Sequence, residues 1–176
     1  MRIFIAINFN DNTKKELLLL QEELQSRCVS GRFTAYDNLH LTLVFLGECD
    51  ERQTDSVIAV INDIKFEPFS ISVDRVGRFK RDGGDLWWAG VQGNASLTKL
   101  DNDLTEGLKS VGFKLEKRKF SPHITLGRKI ITDAKPWSIA PFGETVKSIE
   151  LMKSEHINGV LRYSVVTSLN RNGITQ

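Results

Sequence analysis

An α+β fold built on antiparallel sheets is predicted by three features of this 176-residue chain. Short β-rich runs are mixed with amphipathic helical stretches, hairpin signals recur, and one strand–helix order occurs twice along the chain. Regular β–α alternation, which a doubly wound parallel sheet would show, is missing. Hydrophobic residues make up 40% and charged residues 26%, which excludes collagen, coiled-coil rods and intrinsic disorder and leaves enough apolar surface for a sizeable core. The length suits one generous domain, with no linker or low-complexity stretch to divide it.

The elements follow in order. Ile3 to Phe9 reads as a buried strand, then Thr13 and Glu16 suggest a capping box ahead of Leu17, Leu20 and Leu24 at helical spacing, ending before Gly31. Leu41 to Leu46 is a strand closed by Gly47, and Asp50 with Gln53 starts a second helix whose apolar stripe is Val57, Ile61 and Ile64. Ile71 and Val73 alternate with Ser70, Ser72 and Asp74 as in a half-buried strand, and the turn Asp82-Gly83-Gly84-Asp85 returns into Leu86 to Val91. Leu97, Leu100, Leu104, Leu108 and Val111 mark the clearest helix, capped by Asn94 and followed by Gly112. Ile124 to Ile131 is a strand, residues 132–143 with Pro136 and Pro141 read as a loop, and Asn158-Gly159 joins Glu150 to Glu155 and Leu161 to Ser168 as a hairpin.

A strand, a helix and then His-x-Thr-Leu run from Ile3 to His40 and again from Leu86 to His123, over 37 residues each time. This echo predicts two similar halves packed as one unit rather than a repeat array. Two of the three histidines fall in the doubled tetrapeptides His40-Leu41-Thr42-Leu43 and His123-Ile124-Thr125-Leu126. On a strand, residues i and i+2 share a face about 7 Å apart, so each motif aims one imidazole and one hydroxyl together while Leu41, Leu43, Ile124 and Leu126 anchor the other face. Paired imidazoles suit general acid and base work near neutral pH, and hydroxyls can bind oxygens that gain charge in a transition state. No carboxylate stands beside either motif to orient a nucleophile triad, and no third ligand sits at zinc spacing, so no metal is expected. A lone strand histidine is usually a satisfied core residue; the doubling argues against that.

Asn38-Leu39-His40-Leu41-Thr42-Leu43-Val44-Phe45-Leu46-Gly47-Glu48 and Ser121-Pro122-His123-Ile124-Thr125-Leu126-Gly127-Arg128 resemble the two signatures of the two-histidine (2H) phosphoesterases. The branch most similar is the RNA 2′,3′-cyclic phosphodiesterases, historically called 2′-5′ RNA ligases; the opening Met1 to Ile7, and Ser154 followed by Tyr163, also look like it. The resemblance spans nearly the whole chain. It implies a bilobal, pseudo-symmetric fold over residues 1–176, with two antiparallel sheets around a central cleft and helices outside. It further implies hydrolysis of a terminal RNA 2′,3′-cyclic phosphate to a 2′-phosphate without metal or cofactor, with His40 as proton donor and His123 as proton acceptor. The residues alone support two complementary histidines and do not decide which is which. Three other readings stay open: the same chemistry on small cyclic nucleotides or 2′-5′ linked oligonucleotides, a non-catalytic module that binds RNA ends, and a metal-dependent hydrolase.

Other residues are candidates of lower specificity. Arg128 follows the second motif but alternates onto the face of His123 only imperfectly, so it reads as a phosphate contact or a surface ion pair. Trp87 and Trp88 face opposite ways on a strand, with core filling favoured for both over base stacking. Phe120, Tyr163 and Ser154 complete the substrate-binding candidates, core packing being the competing reading for Phe120 and a half-buried strand position for Tyr163. His156 reads as a surface residue. Lys plus Arg exceed Asp plus Glu by only two, so any basic surface is local: Arg75, Arg78, Lys80 and Arg81 form one cluster, Lys114, Lys117, Arg118 and Lys119 another. Either could steer an RNA backbone or be a solvated face. Two cysteines make no disulfide framework, the apolar run Met1 to Ile7 is too short for a signal-peptide core, and no run approaches a membrane span. The expectation is a reduced, cytoplasmic monomer.

Overall fold

The structure, a computed structural model, describes residues 1–171. Its elements are β1 (Arg2–Asn8), α1 (Asp11–Ser26), β2 (Cys28–Phe33), a 3₁₀ turn (Tyr36–Asn38), β3 (His40–Glu48), α2 (Glu51–Asp63), β4 (Phe69–Phe79), β5 (Asp85–Val91), α3 (Ala95–Ser110), β6 (His123–Thr132), β7 (Trp137–Val146), β8 (Ser148–Ile157) and β9 (Val160–Asn170). The strands run β7-β4-β5-β6-β3-β1-β8-β9, all paired antiparallel, with β2 added to β6. β3 and β6 share a single residue pair, Leu41 with Ile124. The order is therefore two four-stranded antiparallel groups that touch at the two motifs.

The repeated strand–helix–strand order matches this topology. β1 lies beside β3 and β5 beside β6, each with a helix between them in sequence. The helices cross over: α1 packs on β2, β6 and β7, while α3 packs on β3 and α2 on β9. One continuous core joins both groups, running from Ile3, Ile5 and Ile7 through Leu41 and Ile124 to Trp87 and Val73. Asp50 and Gln53 form the expected capping box of α2, Asn94 caps α3, and Asn158 and Gly159 adopt the positive φ angles (52° and 76°) that a two-residue hairpin turn requires. No helix among the described residues is long and apolar enough to cross a membrane.

Two expectations are corrected and one unannounced strand is added. α1 starts at Asp11, because Asn10 rather than Thr13 accepts the first-turn amide; Thr13 is its donor and lies buried. Most of residues 132–143 is not a loop: β7 begins at Trp137 and pairs with β4 alone. Pro141 fits because the strand is an edge, and because the register skips from Ser138 to Phe142 around it. β2, Gly- and Ser-containing and largely exposed, lacked any apolar alternation to announce it.

β2 is held to β6 beside the second motif. Thr34 donates its amide to the carbonyl of Leu126 (2.9 Å) and its hydroxyl to the carbonyl of Thr125 (2.9 Å). Gln21, buried on α1, donates its Nε2 to the carbonyls of both Thr34 (2.8 Å) and Leu126 (2.9 Å). Gln21→Ala removes the side-chain donor from the carbonyl of Thr34 and the second donor from that of Leu126, and is expected to cost about 1–3 kcal/mol in urea unfolding. Gln25→Ala, on the exposed side of the same helix, is expected to stay within about 0.5 kcal/mol. Equal stability of the two variants would show that this anchor contributes nothing.

Candidate active site

The Leu41–Ile124 pair decides what the motifs can reach. Both side chains are fully buried in the core, so His40 and Thr42, and His123 and Thr125, all project from the opposite face. In antiparallel register, one residue either way from that pair sets His40 against Thr125 and Thr42 against His123. Two imidazoles and two hydroxyls thereby share one patch of sheet.

Each ring is oriented by its own backbone. His40 Nδ1 is 2.7 Å from the carbonyl of Asn38, and His123 Nδ1 is 2.7 Å from the carbonyl of Ser121. A carbonyl only accepts, so Nδ1 carries the hydrogen in both rings and Nε2 is the nitrogen left without it in the neutral form. His40 Nε2 lies 2.8 Å from the Thr42 hydroxyl, which donates to the neutral ring and accepts from the protonated one. Burial holds both imidazoles below their ordinary pKa, against the raising effect of the two carbonyls; the charge of Arg128 lowers both further, and His123 and Lys14 add to this at His40.

Aromatic walls back the two rings. His40 packs against Phe4 (centroids 4.9 Å) and edge-on against Tyr163 (5.3 Å), which itself meets Phe4. His123 packs edge-on against Phe79 (5.1 Å) and near Trp88 (6.3 Å). Trp87 is core, as expected, but Trp88 is only half-buried and lies on the cleft side, flanked by Phe79 and the guanidinium of Arg75. Phe4 and Phe79 escaped the sequence reading, since single strand aromatics carry no signal until strand order is known.

Arg128 owes its place to a bulge. Trp88 pairs with Thr125 but Trp87 pairs with Gly127, so one extra residue on β6 resets the alternation and returns Arg128 to the face of His123. The first motif carries the matching shift: Ala6 pairs with Thr42 but Ile5 with Val44, which returns Phe45 to the cleft side opposite Phe4. Phe45 is 54% exposed, with the Arg2 guanidinium 5.2 Å from its ring centre.

The remaining candidates are scattered. Ser154 is half-buried and pairs directly with Tyr163 at the start of β9. Phe120, in the segment before β6, packs against the main core. His156 is exposed. The basic clusters are partly neutralised, with Arg75 on Asp74 (2.7 Å), Arg78 near Asp85 (3.7 Å) and Arg118 on Glu116. Cys28 and Cys49 are free thiols, and no group of three or more metal-ligating side chains occurs among the described residues.

Known proteins share the sequence pattern and the fold of this chain. The family model for LigT-like phosphoesterases matches residues 7–88 and 91–161. The RNA 2′,3′-cyclic phosphodiesterase of Archaeoglobus fulgidus is 33% identical over 163 residues, 88% of this chain and 91% of its own. That of Escherichia coli is 33% identical over 154 residues, covering 84% and 82%. Among solved structures, Escherichia coli LigT complexed with 3′-AMP superposes with a TM-score of 0.81 at 25% identity over 98% of both chains. Its complex with phosphate gives 0.78 at 26% identity over the same share. This chain belongs to the LigT-like phosphoesterase family.

Proposed function

We propose that this protein hydrolyses the terminal 2′,3′-cyclic phosphate of RNA to a 2′-phosphate, using the two histidines for both proton transfers. The observation that carries the reading is the pair of Nε2 atoms presented from adjoining strands, each fixed by a backbone carbonyl behind it. The names of the relatives support the substrate class. The working unit is the chain as one domain of two similar lobes, a cytoplasmic monomer in keeping with its unpaired thiols.

In the mechanism, His123 Nε2 takes a proton from water as its oxygen attacks phosphorus. The P–O3′ bond breaks in line, and protonated His40 gives its Nε2 proton to the departing 3′ oxygen. The products are a 3′-hydroxyl and a 2′-phosphate, with the proton transferred from His40 to His123 overall. Thr42 and Thr125 donate to the equatorial oxygens as charge gathers there, and Arg128 adds a positive charge on the same face. Thr42 has a second task, holding the His40 proton until the leaving oxygen competes for it. Tyr163 buttresses the His40 ring. Ser154 lies beside Tyr163 at the cleft margin, and Phe120 packs against the core in the segment before β6.

With excess chelator present, His40→Ala and His123→Ala are each expected to lower turnover of an RNA ending in 2′,3′-cyclic phosphate by about 10²–10⁴. Near-wild-type turnover in either variant would remove the assignment. A wild-type enzyme that binds the RNA end and never opens it would be a binding module instead.

The pKa directions give a second outcome. A lowered pKa keeps His123 neutral, as a base requires, but tends to strip His40 of the proton it must donate. The kcat/KM profile, which reports the free enzyme, is therefore expected to be bell-shaped with its maximum below about pH 6.5. A bound phosphate anion raises both histidines, so the alkaline limb of kcat should lie at higher pH than that of kcat/KM. A kcat/KM maximum at neutral or alkaline pH would contradict the burial argument.

A further inference from the structure

Beside the second motif the sheet holds an electrostatic conflict. Arg32 on β2 is the direct register partner of Arg128 on β6, followed by Phe33 with Gly127. Directly opposed residues have Cβ atoms about 5 Å apart on one face, where like charges repel. Phe33 turns inward onto the core, which sends Arg32 outward to the face that Arg128 shares with His123. Neither guanidinium has an acidic partner among the described residues, and the two face each other. The pairing is not a loose accident of an edge strand, because Thr34 and buried Gln21 tie this end of β2 to the carbonyls of Thr125 and Leu126. Two exposed cations are thus opposed on one face beside the second motif, a placement that favours an anion between them.

We infer that Arg32 is a second phosphate subsite, binding the phosphodiester on the 5′ side of the terminal nucleotide while Arg128 attends the reacting phosphate. The inference rests on the proposed RNA-end activity and adds that the enzyme favours oligonucleotides over a lone cyclic nucleotide. The division of labour follows from position. Arg128 lies on the same strand and face as His123, whereas Arg32 lies one strand farther out, on β2. Arg32 is therefore the cation placed for the next phosphate along the strand rather than for the reacting one. A planar guanidinium can hold two oxygens of a diester at once.

The test compares wild type and Arg32→Ala on two substrates that differ by one nucleoside and the phosphodiester that joins it: a dinucleotide ending in 2′,3′-cyclic phosphate, and a nucleoside 2′,3′-cyclic phosphate. The ratio of kcat/KM values, dinucleotide over nucleoside, is expected to fall about tenfold in the variant, chiefly through KM. The log–log salt dependence for the dinucleotide should flatten by about 0.7. An equal loss on both substrates, or an unchanged ratio, overturns the subsite. Calorimetric binding of a dinucleotide 2′-phosphate against a nucleoside 2′-phosphate reads the same ratio without turnover. If wild type opens neither cyclic phosphate, the proposed activity fails, and the binding ratio still decides the subsite: a fall in Arg32→Ala upholds it, and constancy rejects it.

Discussion

One backbone pairing, Leu41 with Ile124, is the constraint on which the site depends. Every other strand contact lies within one four-stranded group or attaches β2 to β6. A single pair contributes little energy, yet its geometry is unforgiving. A slip of one residue in either strand would turn a histidine and a threonine into the core and bring leucine or isoleucine to the cleft. The burial of Leu41 and Ile124 at 0% exposure is what makes that slip costly. The register of the two motifs is set by core leucine and isoleucine.

A one-pair seam would hinge without support, and the helices supply it. Because α1 leaves β1 to pack on β6 and β7, and α3 leaves β5 to pack on β3, each group's helix covers the other group's strands. The halves are interlocked through a shared apolar layer, so separating them would expose Leu17, Leu24, Leu100 and Leu104 together. The two histidines stand on the opposite face, where Phe4 and Tyr163 pack on one ring and Phe79 and Trp88 on the other. Burial on that face is the largest cause of the lowered imidazole pKa values. Fixing the register and tuning the protonation equilibria are thus divided between the two faces of one sheet.

How far the sequence reveals this depends on the length scale of each signal. The doubled His-x-Thr-Leu and its repeat in strand–helix order were legible because i and i+2 geometry is local and the spacing of the two copies is regular. α2, α3 and the Asn158-Gly159 hairpin were legible through caps and turn chemistry. β2 and β7 were not, since an exposed edge strand needs no alternation and a proline at a bulge imitates a loop. The position of Arg128 was the subtlest case. Simple alternation turns it away from His123, and the bulge that restores it depends on Trp87 and Trp88 across the ladder, which no local reading of β6 contains.

The two bulges also show how a nearly symmetric frame becomes polar. Each falls just after the threonine of its motif, and each returns the third residue after that threonine to the cleft face. In the first motif that residue is Phe45, an exposed aromatic with Arg2 beside it; in the second it is Arg128, opposed by Arg32. Equivalent backbone positions therefore carry an apolar ring at one end and paired cations at the other. A site with true twofold symmetry would take a cyclic phosphate in either orientation, with each histidine acting as acid half the time. Concentrating charge at the Arg128 end gives the phosphate chain one favourable direction, and on the proposed reading this direction, together with the Thr42 hydroxyl that holds Nε2 of His40, makes His40 the donor and His123 the base.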